Sequence, residues 1–184
     1  LTSTGSGVGW ADAGGGAWNF ITSVTADQDS YATLTSIFST TYDYYRVIAT
    51  DVFSHDANQS DLHMQTTTNG SSWTNPDYRY DIKYNQSSQS EQYANGPRFY
   101  ENMGAASGGM QKLHFWMDAF KPFGTTVKVF RYSGAGYTGY ANTVINPMDA
   151  WQIESSSSTA LTGVRFYTSN SISGNFKVYG LALS

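Results

Sequence analysis

The chain has 184 residues, the size of one domain that can close a single core. Only 13% of residues are charged and the net charge is −4, with ten Lys and Arg spread thinly, so no basic run exists to bind a nucleic-acid backbone. There is no cysteine, which excludes thiolate metal sites, a cysteine nucleophile and disulfide staples, and no stretch is apolar for long enough to span a bilayer as a helix.

Residues 1–17, "LTSTGSGVGWADAGGGA", are mostly Gly, Ser, Thr and Ala. They read either as a flexible leader or as a Gly-rich arm that orders against a neighbouring subunit. In the second case Trp10 is the candidate anchor, because an indole is costly to leave in water. A single domain is expected over 18–184.

From residue 18 onward the apolar period is two. "SYATLTSIF" (30–38) is β-branched and aromatic and reads as a strand. "YYRVIATDVF" (44–53) sets Tyr45, Val47 and Ala49 against Tyr44, Arg46 and Ile48. "DLHMQTTT" (61–68) puts Leu62, Met64 and Thr66 on one face and runs into Asn69-Gly70, a tight-turn signal. "YRYDIKY" (78–84) alternates tyrosines with charges. Residues 85–109 read as a long polar loop or a ragged excursion. "MQKLHFWMDAF" (110–120) places Leu113, Phe115, Met117 and Ala119 opposite Lys112, His114, Trp116 and Asp118. "TTVKVFRY" (125–132) sets Val127 and Val129 against Lys128 and Phe130. "GAGYTG" (134–139) reads as a turn, and "PMDAW" has room for one helical turn. The closing "LTGVRFYTSNSISGNFKVYGLALS" (161–184) reads as a hairpin, with Gly174 permitting its turn and Gly180 a bend or close approach. Val164, Phe166, Phe176 and Val178 are predicted to share a core face, with Arg165 and Lys177 outward. About eight to ten strands result, an all-β antiparallel sandwich or barrel.

Chemistry is sparse. Asp51, His55, Asp56, Asp61 and His63 form the one cluster of metal-type ligands, but at no recognised spacing. A polar hairpin loop accounts for it, and no metal or other cofactor is expected. Asp118, beside His114 and Trp116, is the best candidate for a glycosidase acid; Asp81 or Glu154 would be its partner. Nothing joins them, and Asp118 reads better as part of an outward polar sheet edge. No serine-nucleophile elbow is present. No catalytic residue is assigned, and a non-enzymatic protein is expected.

Aromatics dominate, with 14 Tyr, 10 Phe and 5 Trp. Trp73, Tyr78, Tyr93 and Tyr100 are candidates for stacking on sugar; packing in core and interface is the alternative use of such side chains.

Several motifs resemble those of a family of tailed-phage virion proteins, structural or tail-fibre-like. These are the apolar opening at Trp18, the Tyr-x-x-Tyr of Tyr42 and Tyr45, the "TTTNGSSW" turn, and the closing Gly163, Phe166, Gly174, Phe176, Tyr179 and Gly180. The resemblance implies a jelly-roll-like β-sandwich displayed on the virion, as a capsid decoration or a head- or tail-fibre domain. It supplies no catalytic residues. The expected partners are copies of the chain itself, as a homotrimer, and other virion proteins. Host surface glycan is the partner in an alternative, lectin-like reading. No nucleic-acid or membrane partner is expected.

Overall fold

The computed structural model describes residues 2–3, 8–9, 18–55, 60–76, 78–83, 89–94, 98–103, 112–138, 144–154 and 158–181. For 2–3, 8–9, 78–83, 89–94, 98–103, 137–138, 144–151 and 154 the backbone alone is described. Trp10 lies outside the described residues.

Every regular element among the described residues is a strand. They are β1 (Thr2–Ser3), β2 (Val8–Gly9), β3 (Asn19–Asp29), β4 (Ala32–Leu34), β5 (Tyr44–Ser54), β6 (Ser60–Thr67) and β7 (Tyr78–Lys83). Then follow β8 (Gln89–Ala94), β9 (Arg98–Met103), β10 (Leu113–Phe120), β11 (Lys128–Thr138), β12 (Val144–Glu154), β13 (Gly163–Tyr167) and β14 (Ile172–Leu181). β1 and β2 pair only with each other.

The rest form an antiparallel sandwich. Its larger sheet runs β3-β14-β5-β10-β11-β12-β7-β8, and its smaller sheet runs β9-β6-β13-β4. A single pair, Thr138 with Met103, links the two through β11 and β9. Without β7, β8, β11 and β12, the strands fall into two groups of four, β3-β14-β5-β10 and β4-β13-β6-β9. Apart from β6 and β9, which are neighbours in the smaller sheet, consecutive strands thus alternate between facing sheets, as in a double-sheet jelly roll. β7 and β8 are inserted between β6 and β9, and β11 and β12 between β10 and β13. The two insertions meet, β12 on β7, and widen the larger sheet.

The alternation of the sequence explains the layers. Tyr45, Val47 and Ala49 of β5, Leu113, Phe115 and Met117 of β10, and Phe176 and Val178 of β14 point inward from the larger sheet. Leu34, Leu62, Met64, Val164 and Phe166 point inward from the smaller one. Contacts cross the gap directly. Phe166 stacks on Phe176 at 5.3 Å between ring centroids and meets the edge of Phe115 at 5.7 Å. The Tyr132 hydroxyl reaches Met64 Sδ at 3.0 Å and Gln152 Oε1 at 2.5 Å. Burial pushes that phenol's pKa well above its ordinary range.

Several local expectations change. β13 and β14 are not a hairpin. β13 pairs with β4 and β6, whereas β14 pairs with β3 and β5. Val164, Phe166, Phe176 and Val178 do share one core, but from facing sheets. The connection turns at 168–171, and Gly174 lies beyond it, at a register shift of β14 with φ +153°. Of 30–38 only Ala32–Leu34 is strand. "PMDAW" lies within β12, and two strands, β8 and β9, lie inside the expected polar loop. "GAGYT" continues β11. Gly134 is needed there for a close approach, because a Cβ would run into the His114 carbonyl oxygen and the Phe115 backbone on β10. On β11 the face of Lys128 and Phe130 is the buried one, with Tyr132, and the Lys128 Nζ donates to the Thr159 carbonyl at 3.0 Å, while Val127, just before the strand, is exposed.

The Asn69-Gly70 turn is built as its composition suggests. Asn69 Oδ1 accepts from the Ser71 and Ser72 amides at 2.9 and 2.8 Å, and Gly70 takes φ +77°. A Cβ at Gly70 would meet Thr35 only at ordinary contact, 3.8 Å. Gly70→Ala is therefore expected to cost about 1–2 kcal/mol through backbone strain alone. Gly70→Asn should cost clearly less, because Asn tolerates this conformation. Equal losses in denaturant unfolding would contradict this account.

Candidate functional site

The outer faces of the sandwich carry what chemistry the chain displays. On the larger sheet, outward positions that would ordinarily be polar are aromatic. Antiparallel register lines them into cross-strand rows. One row runs Phe20, Tyr179, Arg46, Asp118 and Arg131 across five strands. A second contains Trp116, Ile48 and Lys177, and a third Phe120, Tyr44 and Leu181. Trp18, just before β3, joins the surface through Tyr44 at 5.3 Å, and Tyr44 meets the edge of Phe120 at 4.8 Å. Trp18, Phe20, Ile48, Trp116 and Phe120 are each 38–59% exposed.

Arg46 and Asp118 stand at the centre of this surface. Arg46 Nε donates to Asp118 Oδ1 at 2.6 Å and Nη2 to Oδ2 at 2.9 Å, a bidentate pair. The guanidinium carbon lies 5.1 Å from the Trp18 ring and 5.7 Å from the Trp116 ring, within cation–π range. The hydrogen bond to Asp118 holds Arg46 more firmly protonated than usual. Burial, then Asp118, raises the Tyr44 phenol. Asp118 is therefore not at a polar edge. It is mid-sheet, nearly buried, and both its oxygens accept from one arginine. The side chains of its suggested acid partners, Asp81 and Glu154, are outside what is described.

The smaller sheet carries a second cluster. Arg165 lies opposite both Gln65 and Thr33, and Tyr167 opposite His63. The His63 ring stacks on Tyr167 at 4.8 Å, and Tyr31 approaches Tyr167 at 5.6 Å. Trp73, from the loop after β6, lies against Arg165. Burial raises the Tyr167 phenol.

Of the aromatics named from sequence for sugar contact, Trp73 alone has a described side chain. Tyr78 and Tyr93 lie on β7 and β8 of the larger sheet and Tyr100 on β9 of the smaller. Their side chains fall outside the described set. The motif residues serve the fold. The Tyr45 hydroxyl donates to the Ser39 carbonyl and accepts from the Ser39 amide, both at 2.8 Å. The Tyr42 ring fills the space that a side chain at Gly180 would need. Gly163 lets the Leu34 carbonyl of β4 approach.

The suggested metal ligands are dispersed. Asp51 pairs with Lys112 at 2.8 Å, which lowers its carboxyl pKa. His55 Nε2 shares a hydrogen bond with Ser173 Oγ at 2.7 Å. Asp56 lies outside the described residues. No three carboxylate or imidazole groups converge among the described residues.

Sequence reasoning did not single out Arg46, Tyr44 or Tyr31. The signal was present. Trp18 and Phe20, Tyr44 and Ile48, and Trp116 and Phe120 repeat at i, i+2 or i, i+4 on the outward phase of their strands, where one-sided burial calls for polar residues.

No protein-family model, curated protein or solved structure matches the chain.

Proposed function

We propose that the chain is a non-enzymatic structural protein of a phage virion, a capsid decoration or a head- or tail-fibre domain, which assembles through the aromatic face of its larger sheet. The observation that carries the assembly reading is the clustering of Trp18, Phe20, Ile48, Trp116 and Phe120 on one side of the molecule. Strands lie about 4.8 Å apart, so five of them span about 20 Å. Exposed apolar patches of that breadth mark contact surfaces. The Arg46–Asp118 pair neutralises the centre of the face, so a partner need not supply a countercharge. Low charge across the chain favours close packing of copies. The virion assignment rests on the motif resemblance, which the alternating-sheet topology accompanies.

The test is hydrodynamic and positional. The protein is expected to sediment as a homotrimer and to co-purify with virions. Phe20→Ser combined with Trp116→Ser should give a monomer that no longer binds particles. Its unfolding free energy should fall by less than that of Arg46→Met, since Phe20 is largely exposed and Trp116 contributes only its partly buried contact with Arg46. A monomeric parent protein that ignores virions would overturn the proposal.

The smaller sheet favours a second reading, a lectin-like module for bacterial surface glycan. Its support is the Tyr31, Trp73 and Arg165 cluster on the side away from the assembly face.

A further inference from the structure

The two arginine clusters differ in one respect. Arg46 has its carboxylate, Asp118, within the protein. Arg165 has none among the described residues; its partners there are neutral. Its Nε and Nη2 both donate to Gln65 Oε1, at 2.8 and 2.5 Å. Gln65 Nε2 donates to Asn75 Oδ1 at 2.8 Å, which fixes the amide so that its oxygen faces the arginine. The guanidinium carbon lies 3.8 Å from the Tyr31 ring centroid and 4.7 Å from that of Trp73.

This arrangement holds the guanidinium and leaves one edge of it unused. Gln65 takes the side edge, Nε and Nη2. The end edge, with parallel N–H groups on Nη1 and Nη2, has no acceptor among the described residues. That edge is the fork that binds a carboxylate through two hydrogen bonds. A half-buried cation with only neutral partners attracts an anion more strongly than a fully solvated one. Thr33 adds an exposed hydroxyl in the same cross-strand row. Tyr31, 41% exposed, adds aromatic surface beside the charge.

We infer that Arg165, Tyr31, Trp73 and Thr33 form a binding site for a carboxylate-bearing saccharide, such as a uronic or sialic acid residue of a surface polysaccharide. The fork takes the carboxylate, the rings take the C–H face of the pyranose, and Thr33 takes a ring hydroxyl. The inference rests on the glycan-binding reading and is independent of the assembly face.

The experiment is calorimetric titration of the full chain with uronic- and sialic-acid oligosaccharides and, in parallel, with their carboxyl-reduced counterparts. The acidic forms are expected to bind, and to bind more weakly as salt rises. The reduced forms should bind at least about tenfold more weakly, the loss of a charge-assisted pair. Arg165→Gln should lose the acidic ligands to the same extent, and Arg165→Lys should restore little, because it keeps the charge without the fork. Equal binding of acidic and reduced forms, or undiminished binding by Arg165→Gln, overturns the carboxylate site and leaves glycan binding standing. If no saccharide of either kind binds, both fall. The acidic-against-reduced comparison uses the unaltered protein, so it decides the matter even if a variant folds poorly.

Discussion

Phe166→Ala is expected to lower the unfolding free energy by about 3–5 kcal/mol. For a chain of this size that is a fall in Tm of roughly 10 °C. Phe166 is fully buried and belongs to β13 of the smaller sheet, yet its ring packs on Phe176 and Phe115 of the larger one. Removing it empties the space between the layers. The neighbours cannot close that space by moving singly, because each is held in a strand paired on both sides. Phe166→Leu, which leaves a much smaller void, should cost markedly less than the alanine change. Thermal and denaturant unfolding measure both. A loss below about 1 kcal/mol for Phe166→Ala would mean that the sheets do not depend on this joint.

Arg46→Met is expected to cost a similar amount, about 3–5 kcal/mol, for a different reason. The two partners are not equally exposed. The Arg46 side chain is 32% accessible and that of Asp118 only 6%. Removing the arginine strands a carboxylate that water can barely reach. Removing the carboxylate instead leaves a cation that still has two indole rings and partial access to solvent. Asp118→Leu should therefore cost less than Arg46→Met. The double variant Arg46→Met, Asp118→Leu should recover most of the loss, since two apolar side chains replace a desolvated pair. A full double-mutant cycle by chemical denaturation reads the coupling. Strictly additive single losses would show that the pair is held apart by solvent and does not anchor the face.

These two sites also bear on what the face is for. The pair sits under Trp18 and Trp116, so it fixes both indoles in place. A rigid aromatic surface loses less entropy on docking than a mobile one. The stability cost of Arg46→Met and its effect on assembly should therefore go together, whereas the change of Phe20 and Trp116 to Ser should affect assembly far more than stability.

The strand character of this chain is a local property, and it was legible. Alternation at 44–49, 62–66 and 113–119 follows from side chains that point to opposite faces at successive residues. A sheet buried on one side selects for that pattern. The inward sets Tyr45, Val47, Ala49 and Leu113, Phe115, Met117 are therefore as the alternation indicates. The Asn69-Gly70 turn is equally local. Its geometry depends on the φ tolerance of two adjacent residues.

Where alternation breaks, the cause lies in a partner strand. Past Ala49 the buried phase of β5 shifts by one, to Val52 and Ser54, because the strand bulges there, with Asp51 at φ +56° and its amide donating to His114 Nδ1. Lys128 follows the inward phase of Phe130 and Tyr132; that a cation is tolerated there depends on the Thr159 carbonyl, which no pattern within β11 announces. β8 and β9 are polar strands held by ladder hydrogen bonds to β7 and β6, and polarity made them read as loop.

Composition and period determined by themselves that this protein is all-β, antiparallel and without thiol chemistry. Which sheet each strand joins was decided only in three dimensions. β13 and β14 are separated by a four-residue connection and resemble a hairpin, yet they lie in facing sheets because β4 and β6 claim one and β3 and β5 the other. Pairing is a contest among distant segments, and a chain read in order contains no term for it. The same holds for the two arginines. Arg46 and Arg165 look alike on their strands. Only the fold brings Asp118 to one and leaves the other with Gln65 and two aromatic rings.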